Sequence, residues 1–321
     1  MTDYDRFIHY QQRRWWSYAD EHCLHQLDGG NHQANLRIRR SPVCARAEDN
    51  ILTPPDNAVW ARRIQAWMPA NHRHRYFRSF RSSQALCQAV FGAVVTAGFL
   101  PQLGGLQAEC GRPAFFSEGE DGWAATPEYQ ARQLGEPRPS SIDVLLSLGR
   151  RRVAVECKFT EGDFGSCSRT DPQKYRPPVL CDGSYSRQFG RQHRCSLAEK
   201  NIKYWAFAPL LFDWDASVDL RPCPLNETYQ LARNAMVATC EASGSFMADM
   251  GFVTIIYDKR NPAFQQGGRA FHQLELARSS SRYEGMFRLL SWQRLCGQLA
   301  SHERFTWLLD AISAKHGIHP T

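Results

Sequence analysis

No stretch of the 321-residue chain approaches the roughly 18 consecutive apolar residues of a membrane span, so a membrane-crossing helix is not expected. The N-terminal MTDYDRFIHYQQRRWW has no apolar signal core, and a cytoplasmic protein is the expectation. No internal repeat is visible, and no two cysteines stand in a CxxC pair. The 11 cysteines are odd in number and lack a secretory context, which argues against a disulfide framework and for free thiols or metal ligands. Charged residues make up 22% of the chain, too few for a disordered polyelectrolyte, and the 43% hydrophobic content suffices for a sizeable core. The net charge of +7 is compatible with a polyanionic partner.

The chain reads as one α/β domain with a mixed sheet. Residues 1–80, rich in Arg, His, Trp and Pro, are expected as loops and short helices packed on the core. SSQALCQAVFGAVVTAG (82–98) has the pattern of a helix, with a serine N-cap and Gly98 at its end. Strands are expected near 113–117 and over 141–148, 151–159 and 251–258, and a second helix over 227–242. Between them, residues 160–226 form a long irregular, cysteine-containing insertion. The core runs over 81–275, and 276–321 reads as two C-terminal helices, with Phe287, Leu290, Trp307 and Leu308 as core candidates.

The segment IDVLLSLGRRRVAVECKFTE (142–161) carries the chemistry. Side chains alternate along a strand, so Ile142, Val144, Leu146 and Leu148 share one face and Asp143, Leu145 and Ser147 the other. On the next strand Val153, Val155, Cys157 and Phe159 oppose Ala154, Glu156 and Lys158. The register that keeps both apolar faces together places Val144 opposite Val155 and Leu146 opposite Val153. It also places Asp143 opposite Glu156, with Cβ atoms about 4.5–5.5 Å apart. Two carboxylates that close call for a shared proton or a cation. Hard oxygen donors suit Mg²⁺ or Mn²⁺, and Lys158, on the same face, can orient a water and offset phosphate charge. The competing reading is a solvated Glu-x-Lys pair of little energetic weight.

The Ile142-Asp143 pair, the 12-residue gap and Glu156-Cys157-Lys158 resemble the PD-(D/E)xK nuclease superfamily over roughly residues 80–260. The strings SSQALC, KFTE-x-x-FG and YQLARN are similar to uncharacterised bacterial members described as restriction endonucleases. The resemblance implies a restriction-endonuclease-like core, with Asp143 and Glu156 as metal ligands and Lys158 serving the nucleophilic water. Many members add a glutamate from the first helix. The matching region here offers Gln84, and Glu109, Glu118 or Glu128 are candidate substitutes. Tyr229 and Gln230 resemble polar positions on the second helix, with a core tyrosine as the alternative reading.

Cys167, Cys181, Cys195 and Cys223 all fall within the irregular insertion. Four thiolates suit a 4Fe-4S cluster or a tetrahedral Zn²⁺, with His193 as a substitute ligand; the alternative is four buried free thiols. Some nucleases of the superfamily brace their core with a four-cysteine cluster, although those draw one cysteine from before the core. NHRHRYFRSFR (71–81) interleaves Arg73, Arg75, Arg78 and Arg81 with aromatics, a composition suited to phosphates and unpaired bases. Further basic patches are RRWW (13–16) and RIRR (37–40).

The expected function is metal-dependent hydrolysis of DNA in restriction, defence or repair, with nucleic acid as partner and no membrane. Two alternatives are a catalytically inactive nucleic-acid-binding protein of the same fold and an iron–sulfur or zinc structural or sensor protein.

Overall fold

One five-stranded sheet organises the chain among the described residues of the computed structural model, which are 1–22, 41–117, 119–137, 139–174, 180–241 and 245–321. The N-terminal part carries helices α1 (Asp3–Glu21), α2 (Ala58–Trp67) and α3 (Ser83–Thr96). Strands β1 (Ala124–Gln130), β2 (Ser141–Leu148) and β3 (Arg151–Cys157) follow as an antiparallel meander. Helices α4 (Tyr204–Leu211), α5 (Pro224–Glu227) and α6 (Tyr229–Thr239) lead to β4 (Gly251–Tyr257), which pairs parallel to β3. Helix α7 (Arg269–Ser280) then leads to β5 (Phe287–Ser291), parallel to β4, and α8 (Trp292–Ala300) and α9 (Thr306–His316) close the chain. Among the described residues no helix is long and apolar enough to cross a membrane.

The sheet separates two apolar layers. Val144, Leu146, Val153, Val155 and Cys157 face a core built with Val90, Phe91, Trp15, Trp292 and Leu308, from helices α1, α3, α8 and α9. Leu145, Ala154, Val253 and Ile255 face the other, with Phe207, Leu211, Leu231, Met236 and Leu274 from α4, α6 and α7. Helix α3 is buried almost all round, from Gln84 to Val94. It starts where the Ala85 amide donates to the Ser82 hydroxyl at 3.1 Å, which satisfies one of the orphan donors of the first turn. Past its end, Gly98 takes φ +63°, the left-handed conformation that glycine adopts without a Cβ clash.

Several sequence expectations are corrected. Residues 113–117 form no strand among the described residues, where Pro113 makes only an isolated bridge to Gln107; the first strand is instead β1. The N-terminal region holds one long helix, and Trp15 of its RRWW patch is a core side chain, whereas the RIRR patch (37–40) lies outside the described residues. The C-terminal tail opens with β5 and not a helix, although Phe287, Leu290 and Leu308 are buried as expected. The insertion 160–226 contains α4 and the start of α5.

Candidate active site

The β2–β3 hairpin has the expected register, with Val144 opposite Val155 and Leu146 opposite Val153. The ladder ends at Val144–Val155. Beyond it the Cys157 amide donates 2.7 Å to the Asp143 carboxylate Oδ2, so a side chain continues what the strand pairing began. Here the strand twists: Ile142 packs in the layer of Leu145 and Ala154 and not with Val144, a departure from strict alternation. Glu128 of β1 sits at φ +48°, a left-handed conformation that costs a non-glycine residue on the order of 1 kcal/mol or more. Glu128 is buried, and its charge and those of Asp143 and Glu156 act on one another.

Glu156 is 2% exposed and held by three donors. Its Oε1 accepts from the Lys158 ammonium at 3.0 Å and from the Gln230 amide at 2.6 Å, and its Oε2 accepts from the Asn234 amide at 2.7 Å. Lys158 Nζ also donates to Gln230 Oε1 at 2.9 Å. Both amides lie on α6 one turn apart, which is why they reach the same carboxylate. The Lys158 backbone is fixed as tightly: its N–H donates 2.7 Å to Ile256 O on β4, and its carbonyl accepts from the Trp292 indole at 2.9 Å.

Two buried cations, Lys158 and Arg233, act on the acids Asp143, Glu156 and Glu128. Burial, followed by the charges of Glu156 and Glu128, pushes the Asp143 carboxyl well above its ordinary range. Burial pushes Glu128 up to about 7, with the Glu156 charge adding to it, while hydrogen bonds from Gln84 and Ser141 pull the other way. Burial alone would depress Lys158, but Glu156, Glu161 and Asp143 outweigh it and raise the ammonium's pKa, so the amine stays charged.

This cluster adjoins a groove of about 610 Å³ whose wall includes Lys158, Gln230, Arg81, Tyr76 and Tyr4. The three similar strings of the sequence meet around it. Ser83 Oγ donates 2.6 Å to Glu161, tying SSQALC to KFTE, while Gln230 and Asn234 of YQLARN hold Glu156. Tyr4 of α1 donates 2.6 Å to the Thr160 carbonyl, a contribution from the far N-terminus that local sequence patterns do not announce.

The other expected site residues separate. Gln84 lies beside Glu128, but its amide oxygen accepts from the His74 N–H at 3.0 Å and its NH₂ donates to His72 O at 3.1 Å. It therefore braces the loop and Glu128. Glu109 accepts from Tyr257 Oη and stands away from the acids, and Glu118 lies outside the described residues. Tyr229 pairs with Glu136 and Tyr204, not with Lys158.

The arginines need correction. The Arg73 side chain is 8% exposed, bonded to Glu48 at 2.6 Å and to Gln65 O, and Arg78 donates to Cys44 O at 2.6 Å; both hold the fold together. Arg81 is exposed on the groove wall, and Arg75 lies 4.5 Å over the exposed Tyr76 ring, while Phe77 and Phe80 are core residues.

A divalent ion fits the donor chemistry of the acids. All three are hard oxygen donors, Asp143 and Glu128 hold pKa values raised chiefly by burial, and Glu156 Oε2 has one hydrogen-bond partner and a lone pair to spare. Among the described residues no group of three or more His, Cys, Asp or Glu side chains is arranged to hold a metal ion.

A family model described as a restriction endonuclease associating with ARP matches residues 14–316. No curated protein and no solved structure matches the chain.

Proposed function

The chain belongs to the family of restriction endonucleases associating with ARP, and from that premise we propose that it is a metal-dependent nuclease that hydrolyses phosphodiester bonds of DNA, with the site described above as its PD-(D/E)xK centre. The observation that carries the reading is the buried Glu156–Lys158–Gln230–Asn234 network set against Asp143 and Glu128 beside an open groove.

Asp143, Glu156 and Glu128 would hold Mg²⁺ or Mn²⁺, which would act as a Lewis acid on the phosphoryl oxygens and lower the pKa of a bound water. The chain's own residues do the rest. Lys158 presents a fixed positive charge, because Glu156 and Gln230 hold its nitrogen and the surrounding acids keep it protonated. A charged ammonium orients a water and stabilises the phosphoryl group as negative charge builds up; it is not a free base in this state. Asn234 and Gln230 keep Glu156 from swinging toward its own lysine alone. Arg81 and Tyr76 stand where a phosphate and an unpaired base would meet the groove.

The neutral Gln84, where many members carry a helix glutamate, favours an inactive binding protein of the same fold. Glu128, beside Gln84, supplies the missing acid from β1 and weakens that reading. The test is cleavage of plasmid and single-stranded DNA with Mg²⁺, Mn²⁺, Ca²⁺ or EDTA. Cleavage with Mg²⁺ or Mn²⁺ that disappears in Lys158→Ala supports the proposal. DNA binding without cleavage under every metal would reject it.

A further inference from the structure

We propose that the groove beside the acid cluster admits an unpaired DNA strand and not a continuous duplex, with Tyr76 as a fixed platform on which a base of that strand stacks. The inference rests on the nuclease reading and names the form of its substrate.

The groove is small and its chemistry sits deep. Its volume of about 610 Å³ is that of a pocket enclosing a small ligand, a class that spans about 300–1,000 Å³. Lys158 on its wall is 7% exposed, and Glu156 behind it 2%. A nucleotide freed from pairing can enter such a space and bring its phosphate down to the ammonium. A B-form duplex, whose major groove alone is about 12 Å wide, is too broad to follow it and stays at the rim.

The charges on the wall point the same way. A surface built for duplex DNA neutralises many phosphates with a track of Lys and Arg. Among the described residues on this wall, the cations are Arg81 and Lys158 and the acids are Glu161 and Asp163. Both acids are fixed. Glu161 accepts from Ser83 Oγ at 2.6 Å and from the Phe159 N–H at 2.7 Å. Asp163 accepts from the Gly165 N–H at 2.9 Å and faces Arg269 at 3.4 Å. Carboxylates held there repel the phosphates of a second strand, while Arg81 and Lys158 suffice for the phosphates of one.

With few phosphate contacts on offer, the groove relies on rings. The segment that buries Phe77 and Phe80 leaves Tyr76 61% exposed on the wall. Its backbone is pinned: the Tyr76 N–H donates 2.9 Å to His74 Nδ1, and the Tyr76 carbonyl accepts from the Ser79 N–H at 2.9 Å. His74 is anchored in turn. Its N–H donates 3.0 Å to Gln84 Oε1, and its Nε2 lies 3.3 Å from the hydroxyl of Ser82, the N-cap of α3. The tautomer with its proton on Nε2 satisfies both ring nitrogens. Arg75 lies 4.5 Å over the Tyr76 ring, which adds a cation to the stack. An exposed ring on a pinned backbone is suited to stacking an unpaired base of any identity, and a paired base offers no free face to it.

The test offers the full-length protein one DNA sequence in three forms: single strand, blunt duplex, and duplex with an unpaired bubble, each carrying 2-aminopurine as a fluorescent base. Binding is read in Ca²⁺ and cleavage in Mg²⁺. Single strand and bubble should bind about tenfold more tightly than duplex, quench the reporter and be cleaved faster. Tyr76→Ala should weaken single-strand binding about tenfold and abolish the quench, whereas Tyr76→Phe, which keeps the ring, should retain both. Thermal melting of the two variants checks that each folds. Duplex bound and cleaved as well as single strand, or a quench that survives Tyr76→Ala, would overturn the proposal and leave the nuclease reading standing. Single-strand preference with the quench but no cleavage under any metal would count against the nuclease reading alone.

Discussion

Asp143 and Glu156 sit on adjacent strands, whereas Cys167, Cys181, Cys195 and Cys223 sit on four loops. A strand fixes the direction of its side chains through its period of two, and the sheet around it is buried on both faces. The acids therefore stay in place even though their mutual repulsion opposes it. Loops have no such frame. What orders the cysteine segments is their own hydrogen bonds. The first region holds buried charge on a rigid support, and the second is ordered by bonds from loop to loop. Functional groups that repel each other belong on strands for this reason, and the cost in stability is typical of active sites.

The contrast can be broken most strongly at Asp143. Asp143→Asn should reduce DNA cleavage on the order of 10³-fold, a loss typical of removing one essential charge from a preorganised site. The same variant should raise the melting temperature of the metal-free protein, because it removes one of three crowded carboxylates. A lower melting temperature would show that Asp143 is chiefly structural.

The next effect is on pH. Burial raises Glu128 to about 7 and Asp143 in the same direction. An acid whose pKa is raised by folding binds its proton more tightly in the native state, so the native state is favoured at low pH and loses that advantage as pH climbs toward the folded value. Metal-free protein should therefore melt at a lower temperature at about pH 8 than at about pH 5, Mg²⁺ should restore stability at the higher pH, and Glu128→Gln should flatten the dependence. Thermal scans across that range, with and without Mg²⁺, check all three.

Smaller still is the loss of an outer brace. Asn234→Ala leaves Glu156 Oε2 without its 2.7 Å donor in a buried position, which should cost about 1–3 kcal/mol of stability and roughly tenfold in cleavage. Denaturant unfolding beside initial rates measures both. The smallest effect separates the two arginines: Arg81→Ala should weaken DNA binding a few-fold and reduce its salt dependence by about one phosphate contact, while Arg73→Ala should lower stability and leave the salt slope unchanged.

The hairpin was legible because alternation and parity allow few registers, and Val144, Leu146, Val153 and Val155 admit only one that buries them together. Helix α3 was legible from its serine cap and closing glycine. What escaped was set by distant contacts. AATPEYQ does not read as a strand, since Pro127 and Glu128 interrupt it, yet at the sheet edge β1 tolerates the proline and the left-handed backbone at Glu128. The run FRLLSW is apolar and short, and such runs do not reveal their period, so β5 read as helix. Pro209 hid α4 in the insertion. Glu128 stood among three candidate acids, and its packing against Gln84 and Asp143 distinguishes it from Glu109, which is bonded to Tyr257. The arginines of 73–81 looked alike in sequence; only burial and partners divide Arg73 and Arg78 from Arg75 and Arg81.

Calorimetric titration of the metal-free protein with Mg²⁺ at about pH 8, before any DNA is added, bears most directly on the acid site. Saturable binding that vanishes in Asp143→Asn and persists in Cys223→Ser is the predicted result. Wild-type protein that takes up no Mg²⁺, or an Asp143→Asn variant that binds it as well as wild type, would contradict the account.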